Sequence, residues 1–410
     1  MSERRSQIRG IARHGRLSRN GPVRTVITVL AAGLAVLLVS TIAVAGIAVW
    51  QVGSRVADNA IDIAGVDEAP PPPSLGAFES GFNILIVGAD NDADQGLAYG
   101  ERDATLNDVN ILVHVSADHS NAVVVSIPRD LIVAHPECTS ADTGEVFGAM
   151  SAAPINEAMA RGGLPCVVDT VEGLTGLDVP YAGLTSFNGV VQMSDAVGGV
   201  PICLSEAIDD PLADLNLPAG SSVVSGETAL GFLRSRKGVG DGSDLARISS
   251  QQIYLASLMR TVQSDGTLTD LSKLYGLANA ASANIKLSTS LARTDTMVSM
   301  AMALKDLDLE RLVFVQYPGT TDDPNYPGKV VPTQYLADEL FGKIAADVPF
   351  SLTPAVPAEE PVEAAPPVDA PEGTVPEGTV PPEAVEASPE AIDGLTGRTA
   401  GDESCAQAAG

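Results

Sequence analysis

Aromatic residues make up only 4% of the 410-residue sequence, with a single Trp, and the chain holds only four His and four Cys. His14, His114, His119 and His135 lack metal-ligand spacing, so neither a zinc centre nor a histidine-based triad is expected. Walker-type phosphate loops and a GxGxxG turn after a strand are also missing. Basic residues are scarce: beyond position 24 there are 17 Lys and Arg against 51 Asp and Glu. A body this acidic repels a phosphate backbone, so nucleic acid is not an expected partner. An apolar fraction of 45% excludes wholesale disorder, and the length admits two or three domains.

The positive charge that is present is concentrated at the amino end. Seven Arg and one acid, Glu3, occupy the first 24 residues, and residues 26–50 follow with no charge at all. Twenty-five helical residues at about 1.5 Å each span roughly 37 Å, enough for a bilayer. The Arg-rich flank places 1–25 in the cytoplasm and everything after residue 50 outside the cell membrane, as a single-pass protein. Ala43-Val44-Ala45 resembles a signal-peptide cleavage site, but the apolar run is longer than the usual roughly 7 to 15 residues, which favours an uncleaved anchor. Cys138, Cys166, Cys203 and Cys405 contain no Cys-x-x-Cys pair and suit disulfides outside the cytoplasm. Three pairings are open; Cys138 with Cys166 and Cys203 with Cys405 is the preferred one.

Residues 51–80, with four consecutive Pro from 70 to 73, read as an extended stalk. Residues 349–410 read as a disordered tail, since 351–410 hold ten Pro and twelve acids against one Arg. Between them, residues 82–87, 109–115 and 122–127 are β-branched strand runs, and helical periods cover 164–174, 186–196, 225–233 and 243–262. A continuation over 263–348 adds helices near 270–306, a strand at 312–317 and a helix near 332–346. This alternation predicts an α/β fold, a mixed central sheet packed between helices. The apolar stretches 166–174 and 187–197 read either as core or as walls of a lipid-binding tunnel.

Between 80 and 260 only eight basic residues occur, and Arg234, Arg236, Lys237 and Arg247 crowd into fourteen positions. Either they pair with neighbouring acids such as Asp241 and Asp244, or they hold an anion through the planar guanidinium fork. On a helix starting near Ser243, Asp244, Arg247 and Gln251 share one face. Arg234 and Arg236 project to one side if the chain leaves the preceding helix extended. Asp90 follows the first strand and Asp108 precedes the second. If those strands are neighbours, two hard-oxygen donors meet at one edge as Mg²⁺ requires; as lone residues they are turn formers. Arg129, in Ser126-Ile127-Pro128-Arg129-Asp130, reaches the same edge.

The strings FNILIVGAD, NDVNILVHVSAD, VVVSIPRD, INEAMARGG, GGVPICL and LRSRKGVGDGSDLARISSQQ resemble the LytR-CpsA-Psr family over roughly residues 82–262. That resemblance implies a sandwich-like catalytic domain over 81–262. It implies a membrane-anchored phosphotransferase that moves a glycopolymer from a polyprenyl pyrophosphate carrier to peptidoglycan. By the resemblance, Asp90 and Asp108 hold Mg²⁺, Arg129, Arg234, Arg236, Arg247 and Gln251 hold the pyrophosphate, and Asp244 orients the arginines. The family commonly has Arg-Ser-Asp-Thr where this chain has Leu106-Asn107-Asp108-Val109, and Lys-Ile-Asn where it has Pro154-Ile155-Asn156. A noncatalytic sensor of lipid-linked precursors and a polyprenyl pyrophosphate phosphatase are the competing readings. Arg161, outside the cluster, is expected to be replaceable.

Overall fold

The β-branched runs form the middle of a seven-stranded mixed sheet. Strands β1 (Phe82–Ala89), β2 (Asn107–Val115) and β3 (Ala122–Ile127) make an antiparallel meander. Next to β1 lies β4 (Tyr181–Ser186), parallel, and β5 (Ile285–Leu287) pairs antiparallel with β4 at that edge. On the other side β6 (Leu312–Gln316) runs parallel to β3, and β7 (Gly397–Thr399) closes the edge antiparallel. The order is therefore β5-β4-β1-β2-β3-β6-β7. This computed structural model describes residues 22–63, 81–89, 105–141, 143–236, 244–264, 271–305, 307–352 and 389–406.

Eight helices accompany the sheet among the described residues: α1 (Pro22–Asp58), α2 (Ala158–Thr175), α3 (Phe187–Ala196), α4 (Gly226–Arg234), α5 (Asp244–Gln263), α6 (Leu271–Asn284), α7 (Thr294–Lys305) and α8 (Gln334–Ala345). The period of two along each strand sorts the side chains into two cores. Leu85, Val87, Leu112, Val123, Val125 and Val315 pack on one face with Val167 and Val171 of α2 and Leu340 and Phe341 of α8. Ile111, Val115, Val124 and Phe314 pack on the other with Ala256 of α5 and Met300 of α7. The molecule is thus an α/β sandwich, the class that the alternating periods predict. Cys166, Val167, Val168 and Val171 are plain core, whereas Val190, Val191 and Met193 of α3 are only half-buried.

Three boundaries differ from the reading of the sequence. Residues 26–50 lie within the 37-residue α1, and the helix continues to Asp58, so the first part of the 51–80 stalk is helical. Among the described residues no helix is long and apolar enough to cross a membrane. Val52–Gly410 is one compact unit and Met1–Gln51 another, so the last turns of α1 belong to the globular part. There Val56 is buried and Arg55 donates to Asn279 Oδ1 at 3.1 Å.

The third difference is the carboxy end. Residues 350–352 and 389–406, assigned by composition to a disordered tail, carry strand structure instead. Phe350–Leu352 pairs in parallel with Glu390–Ile392, and β7 completes the central sheet. Cys405 is bonded to Cys203 across 202 residues, and Cys138 to Cys166 across 28. Pro and acid counts over a 60-residue window averaged out the short segment 389–406, where Ile392, Leu395 and Ala400 are buried. The rest of the window, 353–388, lies outside the described residues.

Candidate active site

The site is assembled at the edge where β2 begins, β3 ends and α5 starts. In the β1–β2 ladder Gly88 faces Val109 while Ala89 faces Asn107, so Asp108 is the extra residue of a β-bulge. A bulge breaks the alternation and re-aims the extra side chain. A Cβ on Gly88 would sit 3.0 Å from that of Val109, so a larger residue there would push the two strands apart by a few tenths of an ångström. Asn107 braces the bulge: its Nδ2 donates to Asn110 Oδ1 (2.7 Å) and to the Ile155 carbonyl (3.1 Å), and its Oδ1 accepts from the Met159 N–H (3.1 Å).

Arg129 follows β3 and donates through Nη1 to Asp108 Oδ1 at 2.5 Å. Its carbonyl accepts from the Asn156 N–H at 3.1 Å, which fixes the backbone beneath the guanidinium. From the first turn of α5, Asp244 presents one oxygen, Oδ1, to several cations. Arg236 Nη2 and Arg247 Nη2 each lie 2.7 Å away, and Arg129 Nε lies at 3.7 Å. Arg247 Nη2 also donates to the Asp108 carbonyl at 3.1 Å. A third carboxylate, Asp130, is 2.6 Å from Lys329 Nζ and 3.6 Å from Arg129 Nε.

Exposure separates the arginines by role. The Arg236 side chain is 34% accessible and that of Arg129 21%, whereas Arg247 keeps only 7%. Arg129 and Arg236 can therefore meet a ligand, while Arg247 braces Asp244 and the bulge from below. Burial opposes the Arg129 charge, but Asp108, Asp244 and Asp130 outweigh it and hold its pKa above the ordinary value. For Arg247 burial wins: helped by Arg129 and Arg236 and opposed by Asp244, it holds the pKa below the ordinary value. Three guanidinium groups around one carboxylate oxygen repel one another, and a multivalent anion would relieve that repulsion.

Of the residues singled out in the sequence, Asp108, Arg129, Arg236, Asp244 and Arg247 come together. Asp90 lies outside the described residues. Arg234 stacks its guanidinium 4.6 Å over the Phe187 ring. Gln251 donates through Nε2 to the Leu233 carbonyl at 3.0 Å, so this amide group fastens the end of α4. Arg161 is not a surface residue: it is buried at the glycine kink of α2, where its Nη2 donates to the carbonyls of Pro136 (3.3 Å) and Gly148 (2.5 Å). Asn107 and Lys329 had no sequence signal, since an Asn at a strand start and a Lys in a polar loop are commonplace.

No three His, Cys, Asp or Glu side chains gather as a metal cage among the described residues. The donors present are nonetheless hard oxygens: Asp108 at the bulge, and Asp244 Oδ2, which is buried without a hydrogen-bond partner. This chemistry fits a Mg²⁺ ion whose shell is completed largely by phosphate oxygens and water.

The fold resembles that of the LytR-Csp2A-Psr enzyme from Actinomyces oris, with a TM-score of 0.51 at 20% identity over 70% of this chain and 94% of that one. In sequence the chain is 33% identical over 272 residues to the cell wall biosynthesis protein LcpA of Corynebacterium glutamicum, covering 60% of this chain and 52% of the relative. The chain thus spans about half the length of that relative. It is 24% identical over 242 residues to the polyisoprenyl-teichoic acid–peptidoglycan teichoic acid transferase TagT of Bacillus subtilis, covering 58% of this chain and 69% of TagT. Residues 59–339, well over half of the sequence and including every clustered side chain above, match the LytR_cpsA_psr family. The chain belongs to the LytR-CpsA-Psr family.

Proposed function

We propose that this protein is a membrane-anchored, extracytoplasmic phosphotransferase that moves a glycopolymer from a polyprenyl pyrophosphate carrier to peptidoglycan and releases polyprenyl phosphate. The observation that carries this reading is the set of arginines gathered on Asp244 Oδ1 beside Asp108, in a chain otherwise poor in positive charge. A relative named for teichoic acid transfer to peptidoglycan supports the same class of reaction. The uncharged stretch 26–50, flanked by seven Arg, supports an anchor at the cytoplasmic membrane with the N-terminus inside.

In this mechanism Arg129 and Arg236 clamp the pyrophosphate oxygens, Arg247 and Asp244 hold that pair in place, and the half-buried apolar side of α3 beside Arg234 receives the start of the prenyl chain. Asp108 and Asp244 Oδ2, with Asp90 as the family resemblance implies, would hold a Mg²⁺ ion, which would supply neutralisation of developing phosphate charge. An acceptor hydroxyl of peptidoglycan attacks the phosphorus next to the glycopolymer, and its proton passes by way of water to the departing phosphate. The bond to the bridging oxygen breaks, and polyprenyl phosphate leaves with that oxygen. Prearranged guanidinium donors lower the barrier because they need no reorganisation as charge shifts to the leaving oxygen.

The test is transfer of a labelled polymer from its polyprenyl pyrophosphate carrier to peptidoglycan by the purified protein. Labelled peptidoglycan is the expected product. Free labelled polymer phosphate would indicate a phosphatase, and binding without turnover a sensor. Chelation with EDTA should abolish transfer, and undiminished turnover in EDTA would remove the metal from the scheme.

A further inference from the structure

Arg236 and Arg234 flank the end of α4, and something must fix the direction in which the chain leaves that helix. The C-cap Ser235 is fully buried, with extended φ −59 and ψ 132, and its N–H returns to the Gly231 carbonyl. Its hydroxyl donates to Asp210 Oδ2 at 2.8 Å, and the Arg236 N–H donates to the same oxygen at 3.3 Å. Asp210 itself sits at the end of a short hairpin strand, Ile208–Asp210, paired with Leu215–Leu217. Its other oxygen accepts from the Leu212 N–H at 3.1 Å. At 2% exposure this carboxylate is almost fully buried.

A buried carboxylate is costly unless its oxygens are filled with donors. Burial works to raise the Asp210 pKa, yet the hydrogen bonds from Ser235, Leu212 and Arg236 prevail and hold it below the ordinary carboxylate value. Besides Leu212, the donors it collects belong to two consecutive residues, Ser235 and Arg236, the second of which reaches Asp244. With Ser235 turned inward and extended, the next residue, Arg236, turns to the partly exposed side. The neighbouring Asp209 is exposed and makes no comparable demand.

We infer that Asp210 is a positioning residue of the anion site, acting through the Ser235–Arg236 backbone to hold Arg236 against Asp244. The role rests on the pyrophosphate reading above. An Asn at this position keeps the shape but retains a single acceptor oxygen, so it cannot serve the Leu212 side and the Ser235–Arg236 side together.

The experiment measures binding of magnesium pyrophosphate to the full-length protein by calorimetry, for wild type, Asp210→Asn, Arg236→Ala and the double variant. Loss of one charge-directed hydrogen-bond anchor should weaken binding about tenfold in Asp210→Asn. The double variant should bind no more weakly than Arg236→Ala alone, because the two changes remove one interaction. Ser235→Ala, which removes one of the two donors to Asp210 Oδ2 and keeps the other, should weaken binding less, and its own cycle with Arg236→Ala tests the anchor if Asp210→Asn does not fold: a combined loss equal to the product of the single losses would overturn the role. Unchanged affinity in Asp210→Asn, or a double variant that loses the product of both single factors, would overturn the positioning role. A wild type that binds no pyrophosphate would instead overturn the site reading and take this role with it.

Discussion

At the scale of single residues the arginines divide into those that face a ligand and those that hold the others. Arg129→Ala and Arg236→Ala each remove a donor from the phosphate-facing side, where the loss of one such donor costs about 2.7 to 4 kcal/mol, or roughly 10² to 10³ in transfer rate. Lys at position 129 should rescue poorly, because an ammonium cannot bridge Asp108 and a phosphate as a planar fork does. Arg293 pairs with Asp295 two residues on, is half exposed, and serves as the control: Arg293→Ala should keep the wild-type rate. Arg161 cannot serve that purpose, because its own side chain is buried against the Pro136 and Gly148 carbonyls and its removal, which takes away packing and charge-assisted hydrogen bonds, should lower the melting temperature. Equal rates for Arg236→Ala and Arg293→Ala would mean that chemistry occurs elsewhere.

His135 gives a second residue-scale expectation. It is buried beside the Ala153 and Pro154 backbone, and Arg161 and Glu157 are its charged neighbours. Burial first, and Arg161 second, lower its pKa from 6.5 and outweigh the Ala153 and Pro154 backbone and the Glu157 charge, which oppose them. The unfolded chain therefore binds more protons than the folded one just below that value. The stability contribution is complete above pH 6.5 and is lost as the pH falls through the folded-state pKa, with a slope of up to about 1.4 kcal/mol per pH unit. Melting curves from pH 8 to 5 should show this decline, and His135→Phe should flatten it; an equal slope in the variant would assign the decline to other groups.

At the scale of elements, local signals carried far where periodicity was clean. The 109–115 and 122–127 runs match β2 and β3 closely, and the helical period over 243–262 matches α5 to within a residue. Asp244 and Arg247 could be paired in advance because an i, i+3 spacing on any helix brings them together. Less legible was β4, Tyr-Ala-Gly-Leu-Thr-Ser, whose glycine and small polar residues give no strand pattern; it is a strand because β1 supplies its ladder. The bulge was likewise invisible: it depends on a pairing between two strands that are separated in sequence, and it leaves Asp108 without a ladder partner between Asn107 and Val109. Asp210 belongs to the same class, since its meaning lies in a helix end 25 residues away.

At the scale of the whole molecule the carboxy-terminal segment is a closing strap. It adds β7 to the sheet, its Ala400 and Asp402 carbonyls accept from Arg260 near the end of α5, and Cys405 ties it to Cys203. The helix that carries Asp244 and Arg247 is therefore fastened at its far end by residues that composition alone assigns to a tail. The two disulfides differ in access: Cys138 and Cys166 are buried, whereas Cys405 is exposed and Cys203 half-buried. A thiol reductant attacks a sulfur it can reach, so mild reduction should open Cys203–Cys405 first. Loss of a bridge closing so long a loop costs about 2 to 5 kcal/mol and should lower the melting temperature before Cys138–Cys166 reacts. Alkylation after graded reduction, read by peptide mass, gives the order of opening, and calorimetry on the same samples gives the stability. If Cys138 and Cys166 are labelled first, or if Cys203 and Cys405 are labelled with no change in melting, the strap does not hold the fold. A chain ended at residue 350 should show the same loss of stability under nonreducing conditions, and with it a loss of transfer as α5 loosens.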